Sequence, residues 1–74
     1  MDTIVLPFVP NNYYGRSTAI NNIDVGDILY IGDKTTAIPT KVKEIICQSS
    51  GYTIITEDFK LVASLNTRVG VKVL

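Results

Sequence analysis

Short runs of β-branched and apolar residues, separated by turn-forming residues, constrain the fold of this chain more than any other feature. The clearest run lies near the end of the chain, where Val69, Val71 and Val73 alternate with charged or small residues. This period of two is typical of a strand with one buried face. No window of the sequence places apolar residues at helical spacing over three turns. The pattern therefore predicts an all-β domain.

The same pattern locates the other strands. We predict strands at 28–31, 40–48, 52–56, 60–64 and 68–73, with turns at 24–27, 32–34, 49–51 and 57–58. In the longest strand Val42 should point inward, and the alternation slips between Glu44 and Ile45, which indicates a β-bulge. Short strands separated by turns at this spacing are typical of small barrels and sandwiches. We therefore predict a small, mostly antiparallel β-barrel or sandwich.

An apolar segment interrupted by Pro7 and Pro10 precedes these strands. Each proline removes a backbone donor and favours extended geometry before it, so neither a helix nor a central strand fits here. We predict an extended N-terminal arm over residues 1–14 and a single domain over residues 15–74. The arm either covers the core of its own domain or adds as a strand to the sheet of a neighbour.

The arm and the residues after it supply the candidate partner-binding side chains. Tyrosine suits protein interfaces because it buries a large ring and keeps a polar tip. Tyr13 and Tyr14 with Arg16 could also stack a nucleic-acid base, but no basic groove accompanies them, so packing or protein contact is favoured. The predicted partner-binding residues are Ile4, Leu6, Phe8, Tyr13, Tyr14 and Arg16.

Length and charge narrow the choice of partners. The chain has 74 residues, with seven basic and seven acidic side chains. Nucleic-acid modules usually carry a basic excess, so a nucleic-acid partner is disfavoured. No apolar run approaches the length of a membrane helix, and the N-terminus lacks a signal-peptide pattern. Because small chains often gain stability from neighbours, we expect a homo-oligomer or a larger assembly, in a virion or the host cytoplasm.

Residues suited to catalysis are scarce in the sequence. There is no histidine, and the only cysteine, Cys47, lies among apolar residues, where we expect a small buried side chain. A disulfide within the chain and a Cys/His zinc site are therefore excluded. Asp24, Asp27 and Asp33 lack the order of ligands in a calcium loop and are predicted to form turns. We expect no catalytic residue, no cofactor and no metal.

The segment AINNIDVGDILYI at residues 19–31 resembles two groups of small β-domains. One is the second-domain barrel of translation elongation factors, which has a similar Val-Gly-Asp before a strand. The other is the Hint domain of inteins and hedgehog proteins, whose later strands are similar to PTKVKEII, GYTIITEDFKLVAS and LNTRVGVKV. The resemblance implies a small β-barrel. Hint chemistry needs an N-terminal nucleophile and a Thr-x-x-His motif, whereas this chain has Met1 and Thr67 at those positions, so the resemblance implies no such activity.

These features together predict a non-enzymatic structural or docking protein. A minor bacteriophage virion component, of the capsid cement or decoration type, fits the small size, β content, balanced charge and apolar arm. Such a protein would bind a larger assembly through its arm and strand edges. The alternatives are an RNA-binding barrel of the SH3-like or translation-factor type and a small phage-encoded inhibitor of a host protein.

Overall fold

A computed structural model describes residues 2–6, 15–32 and 37–73 of the chain. Its elements are β1 (Asp2–Val5), β2 (Arg16–Ala19), a 3-10 turn (Ile20–Asn22), β3 (Ile28–Gly32), β4 (Ala37–Gln48), β5 (Gly51–Thr56), β6 (Phe59–Ser64) and β7 (Arg68–Val71). No helix in the described ranges has the length and apolar character needed to cross a membrane. The predicted turn at 32–34 lies outside these ranges except for its first residue, and Asp33 lies outside them.

The seven strands form one mixed sheet in the order β1-β6-β5-β4-β3-β7-β2. All neighbouring pairs are antiparallel except β1 and β6, which run parallel. The sheet does not close on itself, so β1 and β2 lie at its two ends. The prediction of an all-β, mostly antiparallel domain is confirmed.

The long strand β4 belongs to both halves of the sheet. Its first part pairs with β3 and its second part with β5. The register shifts between Val42 and Glu44, slightly before the predicted position of the bulge. Val42 is buried and Ile45 packs against the core, although they are three positions apart and would lie on opposite faces of a regular strand. An extra residue at Lys43 places both side chains on the core side and bends the strand.

The core is a single cluster of buried apolar residues. Its members are Ile20, Ile23, Leu29, Ile31, Val42, Ile54, Leu61, Ala63, Val69 and Val71. Val69 and Val71 are buried as the alternation predicts, whereas Val73 is 64% exposed because β7 ends at Val71. The expected burial of Cys47 is wrong: its side chain is exposed, because it lies at the end of β4 beside the turn into β5.

The first described residues of the arm belong to the sheet of their own chain. Residues Asp2–Val5 pair with β6, with Ile4 opposite Leu61. The backbone N–H of Leu6 donates to the carbonyl oxygen of Val62 over 2.9 Å. Ile4 and Leu6 are partly buried and pack against the core. This part of the arm therefore forms an edge strand.

Candidate interaction surface

Three of the six predicted partner-binding residues lie within the described part of the chain. Ile4 and Leu6 turn toward the core, and Arg16 is exposed at the first residue of β2. Since β1 and β2 lie at opposite ends of the strand order, Arg16 belongs to a different edge of the sheet from the other two. Phe8, Tyr13 and Tyr14 lie outside the described residues.

The edge of β1 presents backbone groups that bond to no described strand. The N–H of Leu6 points toward β6, and backbone groups alternate in direction along a strand. The N–H and C=O of Ile4 therefore also face β6, whereas those of Thr3 and Val5 face away from the sheet. Such an edge is a template on which another strand can pair.

The edge of β2 differs because a charged side chain covers it. The N–H of Ile20 donates to Thr67 O in the turn before β7, so the backbone groups of Ser17 face outward by the same alternation. The guanidinium of Arg68 reaches Ser17, donating from Nη2 to its carbonyl oxygen over 3.2 Å and from Nε to its hydroxyl over 3.0 Å. Charged side chains at an edge protect it from unwanted pairing.

The half of the sheet formed by β1, β6, β5 and the end of β4 has apolar side chains on both faces. Residues paired across neighbouring strands point to the same side of a sheet. One such row, which faces the core, is Ile4, Leu61, Ile54 and Ile45. The next row, which faces away from the core, is Val5, Val62, Thr53 and Ile46. We call this second side the outer face.

The outer face is partly open to solvent. Val5 and Ile46 are 74% and 39% exposed. Val62 and Ile55 are half-buried, yet neither is among the side chains that pack against the core. This face was not predicted from the sequence. The available signal was the adjacent apolar pairs Ile45–Ile46 and Ile54–Ile55, which must place one isoleucine of each pair on each side of the sheet.

A cleft of about 400 Å³ lies beside β2, where β3 begins and β7 ends. Arg16 and Lys72 line it together with Asp24 and Asp27, so it carries both signs of charge. The carboxylate of Asp27 accepts a hydrogen bond from the backbone N–H of Asp24 over 2.9 Å, which holds the turn as the sequence predicts. Within the described ranges no three His, Cys, Asp or Glu side chains are grouped so that they could hold a metal ion.

Thr67, which stands at the histidine position of the Hint-like segment, is buried and hydrogen-bonded within the fold. It is 1% exposed, and its hydroxyl lies 2.9 Å from the hydroxyl of Ser64. Its N–H donates to Ser64 O, and its own carbonyl accepts from Ile20. These bonds connect the turn between β6 and β7 to the 3-10 turn.

Comparison with known proteins assigns no family to this chain. A comparison with protein-family models, curated proteins and solved structures found no match to this chain. The resemblance to translation-factor barrels and Hint domains therefore stays a prediction from the quoted segments.

Proposed function

We propose that this chain is a non-enzymatic docking module that joins a larger protein assembly through the edge of β1. The outward backbone groups of Thr3 and Val5 carry the proposal, because they offer four hydrogen-bonding groups to an added strand. The contrast with β2, whose Ser17 is covered by Arg68, makes β1 the more accessible end of the sheet. A bacteriophage virion is the assembly that suits a small, β-rich chain of balanced charge.

Strand addition alone gives modest affinity here. A hydrogen bond made in water contributes about 0.5–1.5 kcal/mol net, so four bonds contribute only a few kcal/mol. Side chains must supply the rest, and in strand addition alternate side chains enter pockets of the partner. Val5 is 74% exposed and projects from this edge, so it is the described side chain best placed for such a contact.

The substitution Val5→Pro tests the docking edge. Proline removes the N–H that faces outward and retains an apolar side chain, while the Leu6–Val62 bond on the other side of the strand is kept. Ala19→Pro is the matched control on the other edge. Ala19 already has φ −63°, which suits proline, and its N–H also faces away from β7.

The measurement is co-sedimentation of the tagged chain with particles purified on a density gradient from the phage or cells that encode it. The wild-type chain and Ala19→Pro should band with the particles at a fixed ratio, and Val5→Pro should remain at the top. The proposal fails if the wild-type chain stays out of the particles or if Val5→Pro enters them normally.

The same samples distinguish the alternative functions. An RNA-binding barrel would leave the particles after nuclease treatment, and its affinity would fall steeply as salt rises. An inhibitor of a host protein would instead co-purify with one protein at a defined stoichiometry. Either result would contradict docking on a larger assembly.

A further inference from the structure

Opposite charges flank the centre of the outer face. Lys60, Ile55 and Glu44 are paired in register across β6, β5 and β4, so their side chains share this face. Two strand spacings, about 10 Å, separate the backbones of Lys60 and Glu44, and the side chain of Ile55 lies between them. Both side chains are exposed, and neither forms an ion pair with another described residue.

We propose that the outer face binds a second copy of this chain about a two-fold axis parallel to β5. This rotation places Lys60 of each copy opposite Glu44 of the other, and Ile55 opposite its own equivalent. It also places Val62 opposite the second copy's Ile46. The rotation therefore pairs opposite charges at Lys60 and Glu44 and apolar side chains at the centre, as an isologous interface requires. The exposed Lys43, the extra residue of the bulge, lies beside Glu44 at the margin of this contact.

The size of the face predicts a weak, reversible dimer. Three strands about 4.8 Å apart and five residues about 3.3 Å apart give a patch of about 240 Å² on each copy. Even when the extra area of protruding side chains is included, two such patches bury less total surface than the ~1,200 Å² at which stable interfaces begin. We therefore expect a dissociation constant in the micromolar to sub-millimolar range.

The dimer contact is formed by β6, β5 and the second part of β4, because β3 pairs only with the first part of β4 and no described strand of the second copy lies opposite β1. Val5 therefore belongs to the docking edge and not to the dimer contact. The same rotation places the β1 edges of the two copies on opposite sides of the pair, so both remain accessible. The dimer thus goes beyond the proposed edge docking, and either can fail without the other.

Charge reversal and charge exchange test the dimer. The mass of the full chain in solution is measured over a concentration series by sedimentation, starting from the 8.1 kDa of one copy. The wild-type mass should rise toward twice that value. Glu44→Lys and Lys60→Glu should each weaken self-association at least about tenfold, because each brings like charges together. The double variant E44K/K60E should restore it, because the opposite charges face each other again.

Three further variants complete the experiment. Ile46→Lys should abolish the dimer, whereas Val25→Lys, at an apolar side chain 63% exposed in the turn before β3, should not change it. Val5→Pro should dimerise normally even where it loses edge docking. Thermal unfolding of each variant verifies that it folds. A wild-type mass that stays at one copy up to about 1 mM, or a double variant no better than the single ones, would overturn the dimer.

Discussion

The guanidinium of Arg68 lies across β2 and donates hydrogen bonds to both the hydroxyl and the carbonyl oxygen of Ser17, 51 residues earlier in the chain. This contact makes the two ends of the sheet unequal. One edge is covered by a charged group, and the other, at β1, presents the backbone of Thr3 and Val5. A charged side chain over an edge disfavours the addition of a strand there.

Removal of the Arg68 side chain should open the second edge. Arg68→Ala should lower the free energy of unfolding by less than about 1 kcal/mol, because the contact is exposed, but should increase aggregation. Arg16→Ala is the control, since Arg16 is an exposed arginine on β2 itself. Light scattering against concentration measures the effect. Equal scattering by the two variants would show that Arg68 does not protect the edge.

The hydroxyl of Thr56 should stabilise the turn between β5 and β6. Thr56 is 1% exposed, and its Oγ1 accepts from the N–H of Phe59 over 2.9 Å and donates to the carbonyl of the same residue. Thr56→Val should cost about 1–3 kcal/mol, because the partly buried N–H and C=O of Phe59 lose their partner. Thr56→Ser keeps the hydroxyl and should cost only about 1 kcal/mol. Urea unfolding measures both, and equal losses would contradict the role of the hydroxyl.

Adjacent isoleucines of β5 should contribute unequally to stability. Ile54 is fully buried in the core, whereas Ile55 is half-buried on the outer face. Ile54→Ala should cost about 2–5 kcal/mol, because it leaves a cavity. Ile55→Ala should cost about 1 kcal/mol when measured at concentrations where the chain is monomeric. Urea unfolding of the two variants checks that Ile54 faces the core and Ile55 the outer side. A larger loss of stability in Ile55→Ala than in Ile54→Ala would contradict this.

Two glycines in left-handed conformations should differ in their tolerance of alanine. Gly15 has φ +74° and Gly26 has φ +99°. An added Cβ at Gly15 would collide with the carbonyl oxygen of Val71, while at Gly26 it would meet no atom within 4 Å. Gly26→Ala should therefore cost about 1–2 kcal/mol from backbone strain alone, and Gly15→Ala about 1–3 kcal/mol more from the collision. Thermal unfolding measures the loss of stability in both variants. Equal losses would show that backbone strain, and not the collision with Val71, causes most of the destabilisation.

The sequence predicted the strands because their signals are local. The alternation of Val69 and Val71 and the turn chemistry around Gly26 act within a few residues, and the structure places strands and turns there. The bulge in β4 was predicted to within two residues for the same reason. The pairing of β1 with β6 was not predicted, because parallel partners lie far apart in the sequence.

By itself, then, the sequence determined that this chain is built of short strands, since period and turn chemistry are properties of neighbouring residues. Only the tertiary structure decided which side of each strand is covered. Cys47 is exposed although its neighbours are apolar, and Ile54 and Ile55 are chemically identical yet lie on opposite faces. Burial depends on residues brought together from distant strands, and no local pattern specifies those partners.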